Sequence, residues 1–548
     1  MSDSDGWDRG EKDTPIAALS RAVSAHPDRI FLDFSGDTYT YGEIDGITNR
    51  FAHSLRDLGV QAGDTVVSVL DNNIDAVIAW LAINKLRAVS VPLNTALRGE
   101  FLRHQVANAG AKIVISESGY VERLNAIADG LTQVTLILHR GDLPEGDLAG
   151  SSSSSSVPLE PLADHAGDDD SALGEPPDPS DIACLIYTSG TTGPSKACMV
   201  GFNYQCNLAR LKLRGAPATA DDITYTPLPL FHQNAIVSGI TSTMLVGGRI
   251  AFAPRFSVSQ FWPDIERSGA TIASILGGMG TLLAQAPDND SMKRCYGQVH
   301  TVRGNPFNKE LKDIWKARFG SRHVGSNDYG VTEAAVVTSL AEGEYATAPP
   351  DSSGRRNPDF DVRIVDDDDN ELPPNQPGEV IIRPLKPNAM FDGYWRDPEA
   401  TLRVFGNLWF HTGDIGTFDE NGYFYFKDRK KDYLRRRGEN ISSFEMESTF
   451  LLHPNIEEVA VHAVLSPFGE DDVKVTAVLT EGSELGEETL CVWAIERVPY
   501  YAVPRYIEFR DALPKNSSGR ILKYQLRDEG ATPDTWDLEK SDIKVTRR

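Results

Sequence analysis

Apolar positions in the first third of the chain fall into short runs separated by stretches of helical period. Runs rich in Val and Ile stand at 66–70 (VVSVL), 89–93 (VSVPL), 112–116 (KIVIS) and 134–138 (VTLIL), while 74–86 and 120–128 repeat apolar residues every three or four positions. Continuous apolar strands alternating with helices predict a mostly parallel sheet covered on both faces. Another apolar strand is expected at 182–187, and it runs straight into small hydroxylated residues. Ligands of α/β sheets bind at that place, outside the carboxyl end of a strand. Strand patterns return after Asp361 (VRIV) and at 379–384 (EVIIRP). Further on, strands at 459–465, 473–479 and 506–510 with a helix at 487–498 predict a smaller α+β unit. The fold class is therefore α/β, with a large multi-subdomain N-terminal domain of mostly parallel sheets over 1–430 and a smaller C-terminal α+β domain over 431–548. The boundary is set where charge rises abruptly, at 428–432.

Between 141 and 180 the pattern stops. Six serines at 151–156 and three aspartates at 168–170 predict a solvated connection there. Composition narrows the function classes. A chain of 548 residues is too long for one small binding module. With 54 basic against 79 acidic side chains it offers no nucleic-acid surface, since phosphate neutralisation needs a clustered basic face. No apolar run is long enough to span a membrane, and the acidic, polar start MSDSDGWDRGEKD is unlike a signal peptide, so a cytoplasmic location is expected. The five cysteines form neither a CxxC pair nor a Cys/His cluster, so no disulfide framework or structural metal is expected.

The chemistry begins at 187–196, YTSGTTGPSK, which combines hydroxyl side chains, two glycines that let backbone N–H groups approach an anion, and one lysine. Such a loop suits a polyphosphate, although the Walker A pattern cannot be drawn through it. More motifs follow in order: LPLFH at 228–232, GNP at 304–306, YGVTE at 329–333, WFHTGD at 409–414, DRKKD at 428–432, RRRGENISSFEME at 435–447 and PKNSSGRILK at 514–523. Each is weak alone. The ordered set resembles the adenylate-forming superfamily of acyl-CoA synthetases, nonribosomal adenylation domains and luciferases, and within it most resembles ligases of the crotonobetaine/carnitine-CoA type.

That resemblance implies two steps. A carboxylate attacks the α-phosphate of ATP to give an acyl-adenylate and pyrophosphate, and the thiol of coenzyme A then displaces AMP. ATP, Mg²⁺ and coenzyme A are the implied cofactor and substrates, and a small-molecule carboxylic acid is the partner. The resemblance assigns Thr188, Ser189, Gly190, Thr191, Thr192, Gly193 and Lys196 to the β- and γ-phosphates, Thr332 to the α-phosphate and Glu333 to Mg²⁺. Gly304, Asn305 and Pro306 with Asn327, Asp328, Tyr329 and Gly330 are implied at the adenine, Tyr329 stacking on the base. Asp414 is implied at the ribose hydroxyls, with Arg429 assisting at the ribose or phosphate. His232 is placed where carboxylate pocket and CoA tunnel join, to orient the carboxylate or gate the thiol; by residue chemistry alone it equally reads as a packed histidine. Lys431 takes the hinge position about which the mobile C-terminal domain rotates, bringing Arg437, Gly438 and Glu439 to the pantetheine tunnel.

Phe231, His232, Gln233, Gly278 and Val331 are expected around the acyl group. Gly277, Gly278 and Gly280 would leave room for a bulky acid, whereas Gln233 and Asn234 would suit a polar one. One departure stands out: Arg520 occupies the position where the superfamily carries the adenylating lysine, and a planar guanidinium is no conservative replacement for a compact ammonium. A second cation stands near it in the chain, because Lys523 lies about one turn on if that segment is helical. Either residue serves, or adenylation is impaired and the chain is a nucleotide- or acyl-binding protein. The superfamily resemblance also allows transfer to a carrier-protein thiol, or oxidative use of the adenylate. For oligomeric state, a homodimer is the base-rate expectation.

Overall fold

The Val- and Ile-rich runs pair into a seven-stranded sheet in the order Leu159–Pro161, Leu136–Arg140, Ile113–Glu117, Thr65–Val69, Val89–Pro92, Ile182–Thr188, Lys196–Gly201. All neighbours are parallel except the last two, which form an antiparallel hairpin with Thr188 opposite Lys196. The computed structural model describes residues 12–143, 157–188, 194–305, 307–325, 328–345, 347–429, 433–466, 470–515 and 521–546. The expected helix at 74–86 is Ile74–Lys85, capped by Asn73, whose side chain accepts from the Ala76 N–H. At 120–128 only Val121–Asn125 is α-helical, flanked by tight turns Ser118–Tyr120 and Ala128–Gly130 that each contain a glycine.

A second seven-stranded sheet runs His323–Val324, Thr301–Arg303, Ile272–Ser274, Ile223–Thr226, Arg249–Phe252, Ile30–Phe34, Asp37–Thr40, again parallel except for its final hairpin. An antiparallel layer follows, in which Trp409–Phe418 pairs with Gly378–Pro384 on one side and Phe424–Arg429 on the other. The smaller C-terminal unit is a four-stranded sheet, Ile456–Leu465, Asp471–Leu479, Tyr506–Phe509, Trp536–Asp537, preceded by the hairpin Tyr433–Arg436 and Glu439–Ser442. Its helix begins at Glu487 as expected but stops at Ile495, because Pro499 follows and disfavours helical backbone before it.

The expected solvated connection is partly structured. Leu159–Pro161 adds a parallel edge strand beside Leu136–Arg140, a position where proline costs no ladder bond that a neighbour needs. Asn49 Nδ2 donates to the Asp170 carbonyl at 3.0 Å, and His53 Nε2 lies 2.9 Å from the Ser171 carbonyl. The serines at 151–156 lie outside the described residues. An apolar cluster continues from the first sheet (Val67, Val91, Phe101, Leu185) into the small unit (Leu434, Ile441, Met446, Tyr501), so the two units share buried surface. No helix among the described residues is long and apolar enough to cross a membrane.

Candidate functional site

Strand ends bring the site together. Ile182–Thr188 ends at Thr188 and the chain returns at Lys196, so both hairpin ends stand at the carboxyl edge of the first sheet. Ser189, Gly190, Thr191, Thr192 and Gly193 lie outside the described residues. Facing this hairpin is a second tight one, Tyr329–Val331 against Ala335–Ser339, whose turn carries Thr332 and Glu333. The turn is held from beneath by Tyr204, whose hydroxyl donates to the Thr332 carbonyl and accepts from the Ala335 N–H, both at 2.8 Å. Gly330 has to be glycine, since any Cβ there would collide with the Ala335 backbone. Ala335 itself sits at φ 57°, a left-handed conformation that costs a non-glycine residue about 1 kcal/mol or more.

Glu333 Oε1 accepts from the Tyr394 hydroxyl at 2.8 Å and lies 3.5 Å from Thr188 Oγ1. Lys196 Nζ stands 5.6 Å from the centroid of the Tyr394 ring. The segment bearing Tyr394 runs beside the hairpin's second strand, with Met199 N donating to the Gly393 carbonyl and Trp395 N to the Ala197 carbonyl. A hairpin carrying a hydroxyl and a lysine, an acidic turn and an aromatic hydroxyl therefore converge.

Beyond this turn, Asp414 is buried and its Oδ2 accepts from the Tyr329 hydroxyl at 2.8 Å. Arg429 is in cross-strand register with Asp414. Tyr329 packs against Phe424 at 4.7 Å between centroids, so its ring serves the core as well as the cleft. Asn305 Nδ2 donates to the Asp328 carbonyl at 2.5 Å, and Lys212 pairs with the Asp328 carboxylate. Gly304 lies where a Cβ would strike the Ile275 carbonyl. The structure brings these residues near one another; Pro306 and Asn327 lie outside the described residues.

The third part comes from both units. Asn72 pins the LPLFH segment, accepting from Leu230 N at 2.8 Å and donating to the Leu228 carbonyl at 2.9 Å. Phe231 and His232 follow, their rings 4.7 Å apart. His232 Nε2 lies 3.0 Å from Glu439 Oε1 of the small unit's hairpin. Burial disfavours its imidazolium, but the charge of Glu439 and the hydrogen bond to it prevail and raise the His232 pKa above its ordinary value, against a smaller opposing effect of Arg435. Arg437 and Gly438 form the hairpin's turn at φ 55° and 80°, and a Cβ on Gly438 would lie 2.5 Å from Leu276 Cδ1. Arg437 N donates to Glu470 at 2.7 Å. Between the units lies a cavity of about 90 Å³, lined by Asn94, Phe101, Thr188, His232, Glu439, Glu445 and Tyr501 among others.

Val331 packs against the large core, and Gln233 lies beside the Tyr204 hydroxyl with its Nε2 buried. The glycines behave differently from an open pocket wall. The Cβ direction of Gly278 faces Glu470 of the small unit at 3.6 Å, and that of Gly280 is filled by the Phe307 ring. Lys523 is not in the cleft: at the start of the helix Lys523–Glu529, it pairs with Glu447 at 2.7 Å and donates to Ser443 Oγ at 2.9 Å. Arg520 and Lys431 lie outside the described residues. Tyr204, Tyr394 and Glu445 were not legible as site residues. Tyr394 stands in FDGYW, a run whose aromatic density was the available signal; Glu445 lies within the motif at 435–447, where only Arg437, Gly438 and Glu439 were given a role, and Tyr204 sits in an ordinary helical pattern.

Two parallel-rich layers, an antiparallel third and a small unit docked over a phosphate-type hairpin define the architecture of an adenylate-forming enzyme. Residues 19–395 match the AMP-binding enzyme family and 445–520 match the AMP-binding enzyme C-terminal domain, and the chain belongs to that family. It is 28% identical over 520 residues to a crotonobetaine/carnitine–CoA ligase of Salmonella arizonae, covering 91% of this chain and 95% of that one. Among solved structures it resembles a double mutant of o-succinylbenzoate CoA synthetase from Bacillus subtilis bound with a product analogue, with a TM-score of 0.77 and 23% identity over 93% of this chain and 98% of that one. ATP-bound MatB from Rhodopseudomonas palustris matches at a TM-score of 0.66 and 25% identity, over 94% and 99%.

Proposed function

We propose that the chain is an ATP-dependent carboxylate–CoA ligase, with an N-terminal adenylation domain over 1–430 and a lid over 431–548 that turns about Lys431. In the first step a carboxylate oxygen bonds to the α-phosphorus of ATP while the α–β bridging bond breaks and pyrophosphate departs with its electrons. In the second, the coenzyme A sulfur bonds to the acyl carbon, the acyl–phosphate C–O bond breaks, AMP leaves and the thiol proton is lost. The observation that carries this reading is that Thr188, which lies 3.5 Å from Glu333 and opposite Lys196 in the hairpin, lines one cavity together with His232 and Glu439.

Lys196 and the hairpin's hydroxyls and amides would neutralise and hold the leaving pyrophosphate. Thr332 would donate to the α-phosphate, and Asp414 with Arg429 would hold the ribose, Tyr329 fixing the Asp414 carboxylate by its hydrogen bond. Among the described residues no cluster of three acidic, His or Cys side chains forms a metal cage, so a lone Glu333 carboxylate suits Mg²⁺, which takes one or two carboxylates and completes its shell with phosphates and waters. When bound there, the ion supplies further neutralisation of phosphate charge. Tyr394 orients the Glu333 carboxylate. His232, held by Glu439, faces the cavity where thiol and acyl group would meet, and Arg437 and Gly438 form the turn that enters beside it. The guanidinium of Arg520 would serve adenylation, Lys523 being engaged by Glu447 and Ser443.

For the acid, Gln233 sets a buried amide beside the Tyr204 hydroxyl that holds the Thr332 turn, and a polar group there favours a polar acyl group. The named activity of the carnitine-type relatives agrees with a polar acid. Pyrophosphate release from ATP with a panel of carboxylic acids, with and without coenzyme A, tests the whole reading. A CoA-dependent thioester supports it. Adenylate without transfer supports a carrier-protein acceptor, and no pyrophosphate with any acid leaves a nucleotide- or acyl-binding protein.

A further inference from the structure

A second cavity, of about 10 Å³, opens beside the side chain of Asp328 and has room for one particle the size of a water or a small halide ion. It is lined by Lys212, Arg303, Asp328, Ser339, Leu340 and Tyr345 among others. Arg303 ends the strand Thr301–Arg303 of the second sheet and is only 8% exposed. Its Nη2 donates to the Ala216 carbonyl at 2.6 Å, while its buried Nε meets no acceptor among the described residues. The carboxylate in the cavity wall, that of Asp328, is already engaged by Lys212. Asp222 also acts on Arg303, but its carboxylate accepts from the Thr271 hydroxyl at 2.8 Å and faces His300 at 3.0 Å. Burial lowers the Arg303 pKa to about 10, so the guanidinium stays charged at neutral pH. Tyr345 adds a hydroxyl, kept protonated by burial and by the charge of Asp328.

A buried cation without a counter-charge is costly, and a guanidinium has more donors than one carbonyl can satisfy. Lys212 and Asp328 cancel, so the cavity wall carries one net positive charge. Water would fill the space and leave that charge unbalanced, whereas a monovalent anion fills and balances it. Phosphate and sulfate are too large for a space of about 10 Å³. We infer that this cavity is a halide site, holding chloride against Arg303, Lys212 and the Tyr345 hydroxyl, and that the bound ion tightens ATP binding. The link runs through Asp328. Its carbonyl accepts from Asn305 Nδ2 at 2.5 Å, in the wall that the ligase reading gives to adenine. An ion that satisfies Arg303 leaves the Asp328 carboxylate to Lys212 alone, so the wall keeps one arrangement. The link to ATP rests on the proposed function; the ion site itself does not.

Bromide serves as the test ion, because its anomalous scattering separates it from water. Crystals of the full chain grown in bromide are expected to show an anomalous peak in the cavity beside Arg303; water alone there overturns the inference. ATP affinity, read by calorimetry with magnesium at one ionic strength, is expected to be about fivefold tighter in chloride than in gluconate, an anion too large for the cavity. Arg303→Met, of similar length and without charge, is expected to bind ATP equally in both salts. An arginine that merely supports the fold gives weaker binding in both salts with the chloride preference kept, and that result overturns the inference. Should Arg303→Met fail to fold, Tyr345→Phe, which removes one donor, is expected to lower the chloride preference by about twofold or more, and an unchanged preference overturns the inference. A bromide peak with equal ATP affinity in the two wild-type titrations marks an adventitious ion only and overturns the link to ATP. Wild type that binds no ATP in either salt fails the ligase reading instead, and the bromide peak still decides the ion site.

Discussion

The two ends of the hairpin at 188–196 are held by different parts of the molecule. At Thr188 the surroundings are Glu333, Tyr394 and, behind them, Tyr204, all within the large unit and tied to strands of its own layers. At Ser195 an essential partner, Glu445, arrives from the small unit, and next to it His232 meets Glu439 across the same boundary. The first end is organised by the fold alone, while the second is complete only in this docked arrangement. Buried hydrogen bonds inside one core resist rearrangement, whereas a few charged contacts between units can be exchanged at modest cost. Under the proposed function, a site built in this way would keep its nucleotide end constant while its thiol end changes.

Substitutions on the two sides should therefore fail differently. The largest effect is expected from Glu333→Gln: pyrophosphate release falls by at least about 100-fold, while a supplied acyl-adenylate still yields thioester. Equal loss of both half-reactions would erase the distinction between the ends. Next comes the cation. Arg520→Ala is expected to lower pyrophosphate release by about 100-fold, whereas Lys523→Ala, which breaks the pair with Glu447, lowers the melting temperature by about 2 °C and leaves release within about threefold. The reverse ranking would give the adenylating role to Lys523.

Gly438→Ala tests the boundary itself. Its Cβ would press on Leu276 at 2.5 Å from a backbone at φ 80°, so the thioester step is expected to drop about tenfold or more and adenylation much less. A single-turnover comparison of the two half-reactions reads the split. The smallest effect is that of pH on docking. Because Glu439 raises the His232 pKa in the docked form, the stabilisation is fully present below the undocked value, about 6.5, and is lost as pH rises through the raised one. Docking followed by fluorescence energy transfer between the units should weaken over that interval, and His232→Gln should flatten the dependence.

Much of this was legible along the chain. The Val- and Ile-rich runs and the ordered motifs through 523 named the sheet and the family, because strand burial and family motifs depend on short local patterns. The contacts of Tyr204, in an ordinary helix, and of Glu445, inside the motif at 435–447, were not legible, because their partners are 128 and 250 residues away. Gly280 shows the converse. Its neighbours suggested open space for an acyl group, yet the space is filled by Phe307, a residue that no pattern along the chain connects to it.

What the amino-acid order determined by itself is the set of elements and the residue types suited to a nucleotide, since these follow from periodicity and from contiguous runs. Only the tertiary structure decided which unit supplies each contact. It turned Leu159–Pro161 into a sheet edge, tied Lys523 to Glu447, and carried a carboxylate from position 445 to the amide of Ser195. Contacts of that kind depend on how two separately folded units are set against each other, a relation that local propensity does not encode.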